Sequence, residues 1–163
     1  MVRTAVLALV LLTGTAQAAD CTISNARYEN DELAWWLSFK PVPRISAPNQ
    51  TAAFIIELPN SGVALEGAIH HPNGFGSPLW SISGPCKADD TQTCSFVEGD
   101  HTAMYGNYGG KVAWIDDQRG AKAPDQVILP RLAASLWYSM YRQDEFTNED
   151  GATSDVFTLT GCD

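Results

Sequence analysis

Hydrophobic and polar residues alternate with a period of two along much of residues 21–116. Leu33, Trp35, Leu37 and Phe39 share one side while Ala34, Ser38 and Lys40 share the other, with Trp36 the exception. That is the pattern of a strand buried on one face. Pro41, Pro43 and Pro48 break it. A second strand is predicted over residues 51–58, where Phe54, Ile56 and Leu58 alternate with Ala53, Ile55 and Glu57. Its mostly apolar composition suits a central position. Pro59-Asn60-Ser61-Gly62 is a turn signal, after which Val63, Leu65, Gly67 and Ile69 resume the alternation, so a hairpin is expected. Asn73-Gly74 marks another turn, and two short strands follow over 79–83 and 95–98. Gly106, Gly109 and Gly110 predict a flexible stretch. It leads into a strand over 111–116 in which Val112 and Trp114 share a face.

Beyond residue 120 the period changes. Leu129, Leu132, Ala133, Leu136, Trp137 and Met140 fall at steps of three and four, which draws one apolar stripe along a helix. Pro130 suits its first turn and Arg142 its last. A final strand over about residues 155–160 returns the chain to the sheet. These elements predict a mainly β (α+β) domain: a single antiparallel β-sandwich or rolled sheet of about seven strands, with one C-terminal amphipathic helix packed on it. An immunoglobulin-type sandwich fits less well. Its cysteines would lie within two facing strands, and here they are terminal or clustered.

Four cysteines sharpen this picture. Cys86 and Cys94 bracket a polar, turn-like stretch, so a local bridge between them is the cheapest pairing in chain entropy. Cys21 and Cys162 are then left for each other, which requires the first and last strands to meet. No Cys-x-x-Cys pair is present to favour metal ligation, and oxidised cysteines leave no thiolate for catalysis. The compartment follows from the N-terminus. Residues 1–18 carry Arg3, an apolar run from Ala5 to Leu12 and the small-residue site Ala16-Gln17-Ala18. They read as a signal peptide cleaved after Ala18 or Ala19, because the run is roughly 8 residues long and a membrane span needs about 20. Asp20 before Cys21 argues against lipidation. Residues 20–163 are therefore expected to form one exported domain, periplasmic or secreted, with no membrane insertion.

Lys and Arg number 10 against 19 Asp and Glu, a formal charge of −9. That sign excludes the basic footprint that nucleic acid requires and leaves a basic protein or a glycan as the expected partner. No cofactor is implied. Candidate chemistry is sparse. His70 and His71 are adjacent, so on a strand they point to opposite faces and do not readily grip one ion. The acidic stretch 144–155 fails the EF-hand pattern, because Phe146 and Phe157 stand where the first and last carboxylates belong. No metal site is assigned. Asp116-Asp117 reads as a pair of solvated turn charges.

Aromatic residues carry the stronger signal. Most of the tryptophans are expected to alternate into the core. Trp36 and the Tyr105–Tyr108 segment, followed by Gly109 and Gly110, are the better candidates for an exposed recognition surface, with His70 and Phe75 in a nearby turn. The leading expectation is non-catalytic binding of a protein or glycan partner through Tyr105, Tyr108, Trp36, His70 and Phe75, with no catalytic residue assigned. A small periplasmic hydrolase using His101 or His71 with an Asp is the alternative. A structural envelope component is the third.

Overall fold

The computed structural model describes residues 21–40, 42, 49–72, 76–87, 91–98, 102–118, 120–143, 149–151 and 153–162. The expected signal peptide, Phe75 and His101 lie outside them. Six strands form a meander: β1 (Ala26–Glu29), β2 (Trp36–Lys40), β3 (Gln50–Glu57), β4 (Ala64–His70), β5 (Leu79–Pro85) and β6 (Thr93–Val97). Then come the hairpin of β7 (Tyr105–Tyr108) and β8 (Lys111–Trp114), the short β9 (Gln126–Ile128), the helix α1 (Leu132–Trp137) and β10 (Val156–Cys162). All ten strands join one antiparallel sheet in the order β6-β5-β4-β3-β2-β1-β10-β9-β7-β8.

Of the two expected forms the rolled sheet is the one found, and the sandwich and the count of about seven strands are corrected to one curled sheet of ten. Leu79 bridges Ala103, Trp80 N–H donates to Thr102 O, and Met104 N–H donates to Pro78 O. These bonds draw the segment before β7 onto the start of β5, so the far end of the sheet folds back toward its beginning. Full closure is one way to remove open edges. Here β8 stays outside the curl, pairing only with β7.

Alternation decides which face turns inward. Trp35, Leu37, Phe39, Phe54, Ile56, Leu65, Ile69, Trp80 and Ile82 are buried, at every second position of their strands. Inward glycines make the bending possible. A Cβ on Gly67 would lie 2.1 Å from Phe54 Cζ, one on Gly84 2.7 Å from Phe96 Cε2, and one on Gly106 2.7 Å from Tyr108 Cε2. In each case an aromatic ring covers the glycine and fills the concave side of a sharply curved sheet.

The two chain ends meet as the cysteines require. β1 pairs with β10, with Ala26 opposite Cys162, and the disulfides Cys21–Cys162 and Cys86–Cys94 are both formed. The helix is shorter than its stripe suggests. α1 covers only Leu132–Trp137, a 3-10 turn follows at Met140–Gln143, and Leu129 and Pro130 precede the helix. Arg131 sits at φ 66°, outside the helical region, and the Asp155 carboxylate accepts the N–H groups of Arg131 (2.7 Å) and Leu132 (2.8 Å). The start of the helix is therefore fixed by a residue from beyond its own segment. Leu132, Leu136 and Tyr141 are buried, and Tyr141 makes edge contacts with Trp35 and Phe96, whereas Trp137 and Met140 face solvent.

Tyr28 lies on the inward face against Phe39, and its hydroxyl is buried with no hydrogen-bond partner among the described residues. Burial first, then the nearby Tyr108 and Asp125, push its pKa well above the usual tyrosine value of 10. Tyr108 is shifted upward too, also mainly by burial. Unfolded tyrosines ionise near pH 10 while these two keep their protons, so stability is expected to fall as pH rises above about 10. Tyr28→Phe should raise stability at pH 7 by roughly 1 kcal/mol, since it removes an unpaired buried hydroxyl. It should also flatten the alkaline decline. Urea unfolding at pH 7 and pH 11 checks both, and a less stable Tyr28→Phe protein at pH 7 would contradict the assignment.

Candidate functional site

One end of the curled sheet is a mouth. It is formed where β2 ends, β3 begins and β4 ends, and the 3-10 turn Ile23–Asn25 lies across it. The chain after β8 crosses the same end: Ile115 N–H donates to Met104 O, Ala121 O accepts Ile23 N–H, and Ala123 N–H donates to Cys21 O. Between these segments is a cavity of about 360 Å³, lined by Ile23, Ser24, Asn25, Phe39, Lys40, Val42, Thr51, Ala52 and Asp117.

Asp117 is the group that gives this cavity its chemistry. It is buried, with only 4% of its side chain exposed. The Thr51 hydroxyl donates to its Oδ2, and His71 Nε2 lies 3.4 Å from the same oxygen. Among the described residues no contact to its Oδ1 is seen. The solvated-turn reading of Asp116-Asp117 is therefore corrected for Asp117, while Asp116 is exposed as expected. Ile115 lies two residues before Asp117, and both are buried beyond the end of β8. Nothing in the sequence placed Thr51 or Lys40 beside them.

The contact order bears on catalysis. A nucleophile triad sets the imidazole between hydroxyl and carboxylate, so that the ring takes the hydroxyl proton. Here the carboxylate stands between Thr51 and His71. Among the described residues no group of three His, Cys, Asp or Glu side chains converges as a metal site would. His70, on the opposite side of β4, has its pKa lowered by burial and by the neighbouring His71.

The residues singled out from the sequence do not form one surface. Tyr105 and Tyr108 point to opposite sides of β7. Tyr108 covers Gly106, and its hydroxyl accepts the Asp116 N–H at 3.0 Å. Tyr105 is half-buried in an outward row, Trp114–Tyr105–Ile128–Val156, that crosses β8, β7, β9 and β10. Trp36 is exposed at the start of β2, four strand positions from β7, about 19 Å measured along the sheet. It pairs with Glu57, whereas His70 pairs with Gln50 at the other end of β3.

The expectation that most tryptophans are core is corrected as well. Trp35 and Trp80 are fully buried, but Trp36, Trp114 and Trp137 are 39%, 55% and 49% exposed. Period two placed Val112 and Trp114 on one side, and that side faces solvent because β8 lies outside the curl. Among the described residues, no helix is long and apolar enough to cross a membrane, and the two disulfides belong to an oxidising, extracytoplasmic environment. Compared with protein families, curated proteins and solved structures, the chain matches none of them.

Proposed function

We propose that this is an exported, non-catalytic binding domain, released into the periplasm or secreted after loss of residues 1–18, and that its mouth cavity takes a saccharide. The observation that carries this reading is the buried Asp117 in a cavity of mixed lining, its Oδ2 in contact with Thr51 and His71 and its Oδ1 without a contact among the described residues. Ser24, Asn25, Lys40, Thr51 and Asp117 supply donors and acceptors, while Ile23, Phe39, Val42 and Ala52 supply apolar surface. A sugar matches both, with hydroxyls for the polar groups and C–H faces for the ring of Phe39. Lys40 and Asp117 bring one charge of each sign to the lining, which favours a neutral polyol over a free cation. The size is also suitable, since ligand pockets begin at about 300 Å³.

Calorimetry with a panel of neutral mono- and disaccharides tests this. At least one sugar should bind, and Asp117→Asn should weaken it about tenfold, the loss of one charge-assisted hydrogen bond. Lys40→Ala, on the rim, should weaken it less. No binding by any sugar at about 10 mM would reject the cavity as a saccharide site. The competing hydrolase reading gains one observation, the contact of His71 with Asp117. It requires turnover of some substrate that His71→Ala abolishes, and the same panel incubated with enzyme and assayed for cleavage separates the two.

A further inference from the structure

A second surface lies at the opposite end of the sheet, and its chemistry differs. Glu29, Trp36 and Glu57 stand directly opposite one another on β1, β2 and β3, in one outward row. The two carboxylates therefore flank an indole that is 39% exposed. Among the described residues neither glutamate has an ion pair. The Arg27 guanidinium lies 3.8 Å from the centroid of the Trp36 ring. On the β3 side of the same indole is a groove of about 370 Å³ lined by Trp36, Glu57, Leu58, Pro59, Gly62 and Ala64.

We infer that this groove receives a lysine or arginine side chain of a basic protein partner. Arg27 already demonstrates that the indole is placed to stack on a cation, and it holds the ring upright from the β1 side. The β3 side is left for a second cation, with Glu57 at hand to pair with the charge and the exposed Pro59 and Ala64 to cover its methylenes. The formal charge of −9 on the whole chain draws a basic partner toward this acidic row. Nothing here depends on the mouth cavity.

Hexa-lysine and hexa-arginine peptides serve as probes, with hexa-glutamate as control, at about 150 mM salt where surface charge is screened beyond roughly 8 Å. The cationic peptides should bind and shift the amide resonances of Glu57, Leu58 and Gly62. Glu57→Gln and Trp36→Leu should each weaken binding about three- to tenfold, as expected for one partly desolvated ion pair or cation–π contact. Glu66→Gln changes the same charge on β4 outside the groove, and should weaken binding less than about twofold. An equal effect of Glu66→Gln and Glu57→Gln would show diffuse charge attraction and overturn the inference. So would the absence of binding at that salt. Both glutamines are surface changes, so the comparison stands even if Trp36→Leu loses stability.

Discussion

Gly67→Ala is expected to destabilise the protein by about 3 kcal/mol or more, lowering its melting temperature by roughly 10 °C or preventing folding. The added Cβ would lie 2.1 Å from both Cε2 and Cζ of Phe54, deep inside contact distance. Phe54 cannot yield, because its ring is 1% exposed and packs against Phe39 at a centroid distance of 6.2 Å. Residue 67 stands directly opposite Phe54 in the β3–β4 register, so any shift of the backbone would disturb the central pairing of the sheet. The partner change makes the cause testable. Phe54→Leu with Gly67→Ala should recover part of the loss, giving a coupling of about 1 kcal/mol or more in a double-mutant cycle. Strict additivity of the two substitutions would show that the ring does not cover the glycine.

Replacing Cys21 and Cys162 by serine is expected to cost about 4 to 5 kcal/mol, more than any other pair of side chains here. The bridge spans 141 residues, so its removal frees almost the entire described chain in the unfolded state. In the folded state the two ends remain adjacent through the β1–β10 pairing, which is why the effect falls on the unfolded ensemble. Cys86–Cys94 spans 8 residues. Its removal should cost only about 2 to 3 kcal/mol by the same reasoning. Urea unfolding of the two double-serine variants gives the comparison. Equal losses would mean that loop length is not what governs these bridges.

How far the sequence reaches is clear from particular strands. β2 to β5 were legible because each carries two or more inward apolar side chains at period two, as with Phe54 and Ile56 in β3, whereas in β6 the buried Phe96 and Val97 are adjacent. Both disulfides were legible from spacing and chain entropy. A strand beginning at Cys21 was expected as well and is β1 from Ala26, but β7 and β9 were not legible. They are four and three residues long, too short for a period to be counted, and β7 is a Tyr-Gly-Asn-Tyr segment whose glycine reads as a loop. Tertiary pairing makes them strands, since each is hydrogen-bonded to a neighbour on both sides.

That omission also hid the shape. Without β7 and β9 the sheet lacks the strands that carry it back toward β5, and a sandwich looks as adequate as a rolled sheet. The helix was overestimated because Leu129 and Trp137 fit the stripe numerically, although Leu129 belongs to the chain leaving β9 and Trp137 turns to solvent. The candidate site shows the same limit. Asp117 lies beyond the end of β8, where no period reaches it, and the segments that meet around it are joined only by the fold.

The central claim is that the mouth cavity is a ligand site organised by Asp117. Amide resonances followed while the best-binding saccharide is added test it most directly. The account predicts shifts confined to residues at the mouth, namely Ile23, Ser24, Asn25, Lys40, Thr51, Ala52 and Asp117, and their disappearance in Asp117→Asn. Shifts centred elsewhere on the sheet, or shifts at the mouth that survive Asp117→Asn, would contradict it.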